Sequence, residues 1–146
     1  MTRCIANLVL SAILLLVTYT AIAADAAMAP FSIVVARDEA ARHTPAQFGE
    51  SAFSMQMTTW LDGSAIQLVV LPPSSEIQYQ FTRQVLNLAP YQAQTRWLRY
   101  VYSGQALKPI VVQNMMQMIE TVSRIPGAVG FIPAAMPVPD ELQVLP

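Results

Sequence analysis

The sequence predicts an α/β domain in three layers with a mainly parallel sheet. Two observations support this fold class. Short apolar runs of strand length, rich in β-branched residues, alternate with segments whose apolar residues recur every three or four positions. Strands that alternate with amphipathic helices form mainly parallel sheets covered by helices on both faces.

The amino terminus predicts export from the cytoplasm. Arg3 precedes an apolar run at residues 8–17, and small residues at positions 21 and 23 form a cleavage site, so residues 1–23 read as a signal peptide. The apolar run is shorter than the roughly 18 to 20 residues that span a bilayer. We therefore expect one mature domain at residues 24–146, periplasmic or secreted, with no membrane span after cleavage.

Composition excludes several classes of function. Cys4 is the only cysteine and lies in the leader, so the mature domain has neither a disulfide nor thiol chemistry. The formal net charge is −1, and the basic residues occur singly. Because no basic stripe could neutralise a phosphate backbone, nucleic-acid binding is not expected.

The first half of the domain predicts two strands and one helix. Residues 31–35 are a β-branched apolar run and predict the first strand. Residues 44–47 form a capping box in front of a short amphipathic helix. A turn at residues 60–63 then leads to a buried second strand at residues 66–71.

A second helix follows the prolines at positions 72 and 73. Its apolar residues recur at spacings of four, four and three along one face, namely at Ile77, Phe81, Val85 and Leu88. Ser74 or Ser75 supplies the N-cap. Gln78 follows Ser75 by three positions, which completes a Ser-x-x-Gln capping box.

The second half of the domain continues the alternation. Pro90 begins a third helix, and residues 110–112 predict a third strand. Asn114 caps a fourth amphipathic helix. Residues 128–132 predict a further strand, and after a proline-rich tail residues 142–145 predict an edge strand.

The candidate catalytic groups form no recognisable motif. His43 is the only histidine, so neither a zinc site nor a catalytic triad is expected. Glu76, Glu120, Asp62 and Asp38 are the carboxylates that could act as acid–base groups, but none has a partner at a diagnostic spacing. We therefore expect a protein that is not an enzyme and binds neither a metal nor a cofactor.

The serines after the second strand are the candidate ligand-binding residues. Ser74 and Ser75 bring two hydroxyls to the first free N–H groups of a helix, and such helix termini attract anions. These residues predict a site for a small oxyanion. Capping of the helix alone is the alternative interpretation.

Four segments, in this order and spacing, carry a resemblance to a known family. They are WLDGSAI at 60–66, PSS at 73–75, WLRYVYSG at 97–104 and PGAVGF at 126–131. The chain resembles short exported relatives of the phosphate ABC transporter substrate-binding proteins, which contain type 2 periplasmic-binding-protein-like domains. The resemblance implies one lobe of such a protein, with Ser74 and Ser75 in part of the oxyanion site and a phosphate-like ligand.

An interaction domain of the cell envelope that has lost solute binding is the alternative. The family commonly has Ile-Phe-x-Gly-Lys before the tryptophan turn, whereas residues 52–56 of this chain are AFSMQ. The proline-rich tail at residues 133–139 could lie extended against a protein partner.

Overall fold

The computed structural model describes residues 31–37 and 48–145. In chain order the elements are β1 (Phe31–Ala36), α1 (Phe48–Phe53), β2 (Gln67–Val70), α2 (Glu76–Gln84), α3 (Pro90–Tyr102), β3 (Ile110–Val111), α4 (Met115–Arg124), β4 (Ala128–Pro133) and β5 (Leu142–Val144). The predicted signal peptide at residues 1–23, with Cys4, lies outside the described residues, as do Asp38, His43 and the predicted capping box at 44–47.

The described strands form one five-stranded sheet in the order β3-β2-β4-β1-β5. Strand β2 pairs in parallel with both β3 and β4. Strand β1 runs antiparallel to its neighbours β4 and β5. Four of the five strands therefore point the same way, which confirms the predicted α/β class with a mainly parallel sheet.

Helices cover both faces of the sheet. Successive residues of a strand point to opposite faces, so two neighbouring residues of β4 show which helix packs on each face. A Cβ atom added to Gly130 would lie 2.6 Å from Val122 and 2.9 Å from Met118, so α4 packs directly on the backbone of β4. The next residue, Phe131, stacks on Phe81 of α2 at a ring-centroid distance of 3.8 Å. The three predicted layers are confirmed.

An aromatic cluster holds α2 against the sheet. Phe81 is fully buried and contacts Phe31 of β1, Phe53 of α1 and Phe131 of β4. The contacts with Phe31 and Phe53 are edge-to-face, at 5.5 and 4.9 Å, a geometry that adds about 0.5–1.5 kcal/mol per pair beyond burial. This anchoring fixes the position of the N-terminus of α2.

The start of α4 agrees with the sequence prediction, whereas the end of α2 differs from it. Asn114 caps α4, and its Oδ1 accepts the Gln117 N–H at 2.9 Å, as predicted. Helix α2 ends at Gln84, so the prediction that Leu88 continues its apolar face was wrong. Asn87 adopts a φ of 52°, which turns the chain out of the helix, and the Leu88 N–H donates to Thr82 O instead.

The proline-rich tail folds back onto the sheet. The Met136 N–H donates to Pro133 O and the Leu142 N–H donates to Pro139 O, so the tail makes two turns. Strand β5 then pairs with β1, and Leu145 is buried. The predicted edge strand is confirmed, and residues 133–145 do not form an extended arm.

Candidate functional site

The candidate site lies where β2 leads into α2, at the end of the sheet that contains the C-termini of strands β2, β3 and β4. Ser75 is the N-cap of α2, with an extended backbone (φ −73°, ψ 129°). Its N–H donates to Pro72 O at 2.9 Å, and its Oγ accepts the Gln78 N–H at 3.5 Å. Ser74 is exposed and Ser75 is half-buried, so the predicted pair lies at the surface at the start of the helix.

The predicted capping box is only half formed. Gln78 Oε1 accepts the Leu71 N–H at 2.9 Å instead of reaching back to Ser75, and the Gln78 side chain is buried. A buried N–H without a partner costs about 1–3 kcal/mol, whereas the Ser75 N–H already has an acceptor in Pro72 O. The tertiary contact with Leu71 therefore replaces the local one.

The first turn of α2 keeps unused donors. The backbone N–H groups of Glu76 and Ile77 donate to no residue in the described part of the chain. Together with the two serine hydroxyls, they can donate hydrogen bonds to a small anion, in the positive field of the helix terminus. The Glu76 carboxylate, which accepts a hydrogen bond from Gln80 Nε2 at 3.1 Å, places a negative charge in the same turn and opposes an anion.

A second helix N-terminus reaches the same edge of the sheet, because α4 follows β3. Besides the Asn114 cap, Gln117 Oε1 accepts the Gln113 N–H at 2.8 Å. Within the described residues, the N–H groups of Met115 and Met116 donate to no residue, as in the first turn of α2. The two serine hydroxyls therefore distinguish the start of α2 from the start of α4.

The α2–α3 side of the protein is positively charged. Between Glu76 and Glu120 the sequence contains Arg83, Arg96, Arg99 and Lys108 and no acidic residue. This excess of basic residues is readable from the sequence, although no motif points to it. Such a field raises the local concentration of anions.

The guanidinium groups of Arg96 and Arg99 line an open groove of about 300 Å³ on α3, together with Tyr91 and Thr95. Within residues 31–37 and 48–145, neither arginine forms an ion pair, whereas Arg124 pairs with Glu120 at 3.0 Å. The groove is the second place where the described surface could attract an anion.

The candidate acid–base residues that the structure describes, Asp62, Glu76 and Glu120, do not converge. Asp62 accepts from the N–H and Oγ of Ser64, at 2.8 and 2.6 Å, in the turn before β2, at the opposite edge of the sheet from Glu76. Glu120 lies on the exposed face of α4. In the part of the chain that the structure describes, no cluster of three potential metal ligands occurs.

Comparison with known proteins identifies the fold. No family model and no curated protein matches the sequence. The structure is similar to an ABC-type phosphate transport receptor from Vibrio cholerae, with a TM-score of 0.57 and 18% identity over 80% of this chain and 45% of the receptor. It is also similar to PstS from Borrelia burgdorferi, with a TM-score of 0.52 and 14% identity over 72% of this chain and 40% of that protein.

The chain spans less than half the length of both receptors. Identities of this size establish the fold alone. The domain is a single lobe of a periplasmic-binding-protein-like architecture, as the sequence resemblance implied. Among the described helices, none has the length and apolar character needed to cross a membrane.

Proposed function

We propose that this protein is an exported, non-enzymatic binding domain that holds a small oxyanion such as phosphate at the start of α2. The hydroxyl groups of Ser74 and Ser75 donate hydrogen bonds to the anion, and the backbone N–H groups of Glu76 and Ile77 complete the site. The observation that supports this function most directly is the open helix terminus, with its unused N–H groups, in a fold shared with phosphate receptors.

Export is part of the same proposal. Residues 1–23 have the composition of a signal peptide, and both similar structures are transport receptors. Cell fractionation followed by mass spectrometry of the purified protein tests it. We expect a periplasmic or secreted product that begins at Ala24; an uncleaved protein in the cytosol would refute export.

The expected affinity is low, because one lobe encloses only part of the ligand. The four hydrogen bonds to a charged ligand contribute about 1.5–3 kcal/mol each, or about 6–12 kcal/mol together. Association costs at least about 4 kcal/mol, and the Glu76 charge reduces the balance further. The remainder corresponds to a dissociation constant in the millimolar range.

Isothermal titration with phosphate, sulfate and acetate tests the binding site. We expect phosphate and sulfate, the two tetrahedral anions, to bind with millimolar dissociation constants. The double substitution Ser74→Ala and Ser75→Ala should abolish this binding. Ser103→Ala is the matched control, because Ser103 lies at the other end of a helix and its Oγ donates to Tyr100 O. Absence of heat with every anion, or equal binding by the double variant, would refute the site.

The alternative, an envelope interaction domain, has less support among the described residues. It drew on the missing glycine and lysine of the family motif and on an extended proline-rich arm, but the tail instead makes two turns and ends in β5, which pairs with β1.

A further inference from the structure

A small apolar pocket lies between α3 and the strands β2 and β3. Trp97 and Leu98 form its wall on the helix side, and Val70 and Val111 form its wall on the strand side. Its cavity volume is about 80 Å³, the space of two or three water molecules. Pro73 and Gln78, on either side of the start of α2, also line the pocket, whereas Ser74 and Ser75 do not.

The walls are held in place by hydrogen bonds over long sequence separations. Trp97 Nε1 donates to Phe53 O at 2.8 Å, which fixes the plane of the indole ring. Gln67 Nε2 donates to Lys108 O at 2.9 Å, which fixes the loop at the rim. The pocket is therefore preformed, and a ligand would not have to organise it.

One donor of a buried side chain that lines this pocket, Gln78 Nε2, has no acceptor among the described residues. Gln78 lines the pocket with only 2% of its surface exposed. Its Oε1 accepts the Leu71 N–H, which fixes the orientation of the amide and leaves Nε2 as the free end. Nε2 donates to no residue in the described ranges, although buried donors are almost always paired.

We propose that this pocket binds a small neutral molecule with an apolar body and a carbonyl oxygen, which accepts a hydrogen bond from Gln78 Nε2. Trp97 and Leu98 contact the apolar body of the ligand. The part of the ligand that does not fit in the cavity extends through the open rim into solvent. The ligand is neutral because the interior offers one uncharged donor, and burying a carboxylate there would cost far more than burying an amide. Lys108 is exposed at the rim and stays in solvent.

Nuclear magnetic resonance of the purified protein tests this assignment, with isobutyramide as the probe and isobutyrate as its charged analogue. We expect isobutyramide to shift the side-chain NH₂ signals of Gln78 saturably at concentrations up to about 0.1 M, as suits a ligand of this size. Isobutyrate at neutral pH should bind at least about ten-fold more weakly, because its charge must be desolvated.

Three substitutions locate the binding. Leu98→Phe fills the cavity without touching Gln78 and should weaken binding of isobutyramide at least about ten-fold, because the pocket has little spare volume. Leu107→Phe is the control, since Leu107 is 45% exposed and does not line the pocket; its binding should be unchanged. Gln78→Met should also abolish binding, but the Leu98 variant decides the test if that protein does not fold.

Several results would overturn the assignment. One is a change in chemical shift that rises linearly with probe concentration, without saturation, at residues all over the surface. That result would show that the probe associates only nonspecifically. Equal binding by the Leu98→Phe protein would place the probe elsewhere. Equal or tighter binding of isobutyrate would show that Lys108, and not the neutral donor, selects the ligand.

Discussion

The two helix caps at the edge of the sheet should contribute unequally to stability. The Ser75 Oγ lies 3.5 Å from the Gln78 nitrogen, at the outer limit of a hydrogen bond, whereas Asn114 Oδ1 lies 2.9 Å from the Gln117 nitrogen. Removal of a cap costs about 0.5–2 kcal/mol. We therefore predict that Ser75→Ala lowers the free energy of unfolding by about 0.5 kcal/mol and Asn114→Ala by about 1–2 kcal/mol.

Urea denaturation followed by tryptophan fluorescence measures both values, because Trp60 and Trp97 are buried and report on unfolding. The denaturant dependence should be the same for all proteins, so that the midpoints report stability alone. Ser103→Ala, at an exposed helix end, should change stability by less than about 0.5 kcal/mol.

A loss in Ser75→Ala equal to or larger than that in Asn114→Ala would contradict this reasoning. It would mean that the Ser75 hydroxyl is committed to capping, and the physical ground for assigning it to a ligand would be lost. A small loss of stability combined with a large loss of anion binding is the result that we expect.

Three further predictions follow from the same structure. Glu76→Gln should strengthen phosphate binding about two- to five-fold by titration calorimetry, because it removes a negative charge worth about 0.3–1 kcal/mol from the first turn of α2; weaker binding would contradict this. Phe81→Ala should lower the free energy of unfolding, measured in urea, by about 3–5 kcal/mol. Tyr79→Ala should lower it far less, because Tyr79 on the same helix is half-exposed. Gly130→Ala should cost about 1–3 kcal/mol, because the new methyl group would overlap Val122; unchanged stability would show that α4 does not pack on β4 as described.

Local features of the fold were predictable from the sequence because their signals lie within a few residues. Asn114 directly before an apolar periodic run predicted the cap of α4, and Pro90 predicted the start of α3. The end of α2 was not predictable by periodicity, since Leu88 fits the apolar spacing but Asn87 has already left the helix. The direction of β1 was also not predictable, because no local signal specifies whether a strand runs parallel or antiparallel to its neighbours.

The location of the candidate serines was predictable from the sequence, but the hydrogen bonds around them were not. The sequence placed Ser74 and Ser75 at a helix start after a strand, and the structure agrees on their location. It could not show that the Gln78 side chain bonds to Leu71, because local spacing favoured the capping box and a buried backbone donor decided otherwise. The pocket beside Trp97 depends on contacts between residues more than 40 positions apart, which no local pattern reveals.

The most direct test of the proposed binding site is a phosphate titration followed by ¹H–¹⁵N correlation spectra. We expect saturable shifts in the backbone amides of Glu76 and Ile77, with a millimolar midpoint, and much smaller shifts at Met115 and Met116, which occupy the same positions in α4 but follow no serine pair. Shifts centred on the groove at Arg96 and Arg99, or no saturable shift anywhere, would contradict the assignment of the oxyanion to the N-terminus of α2.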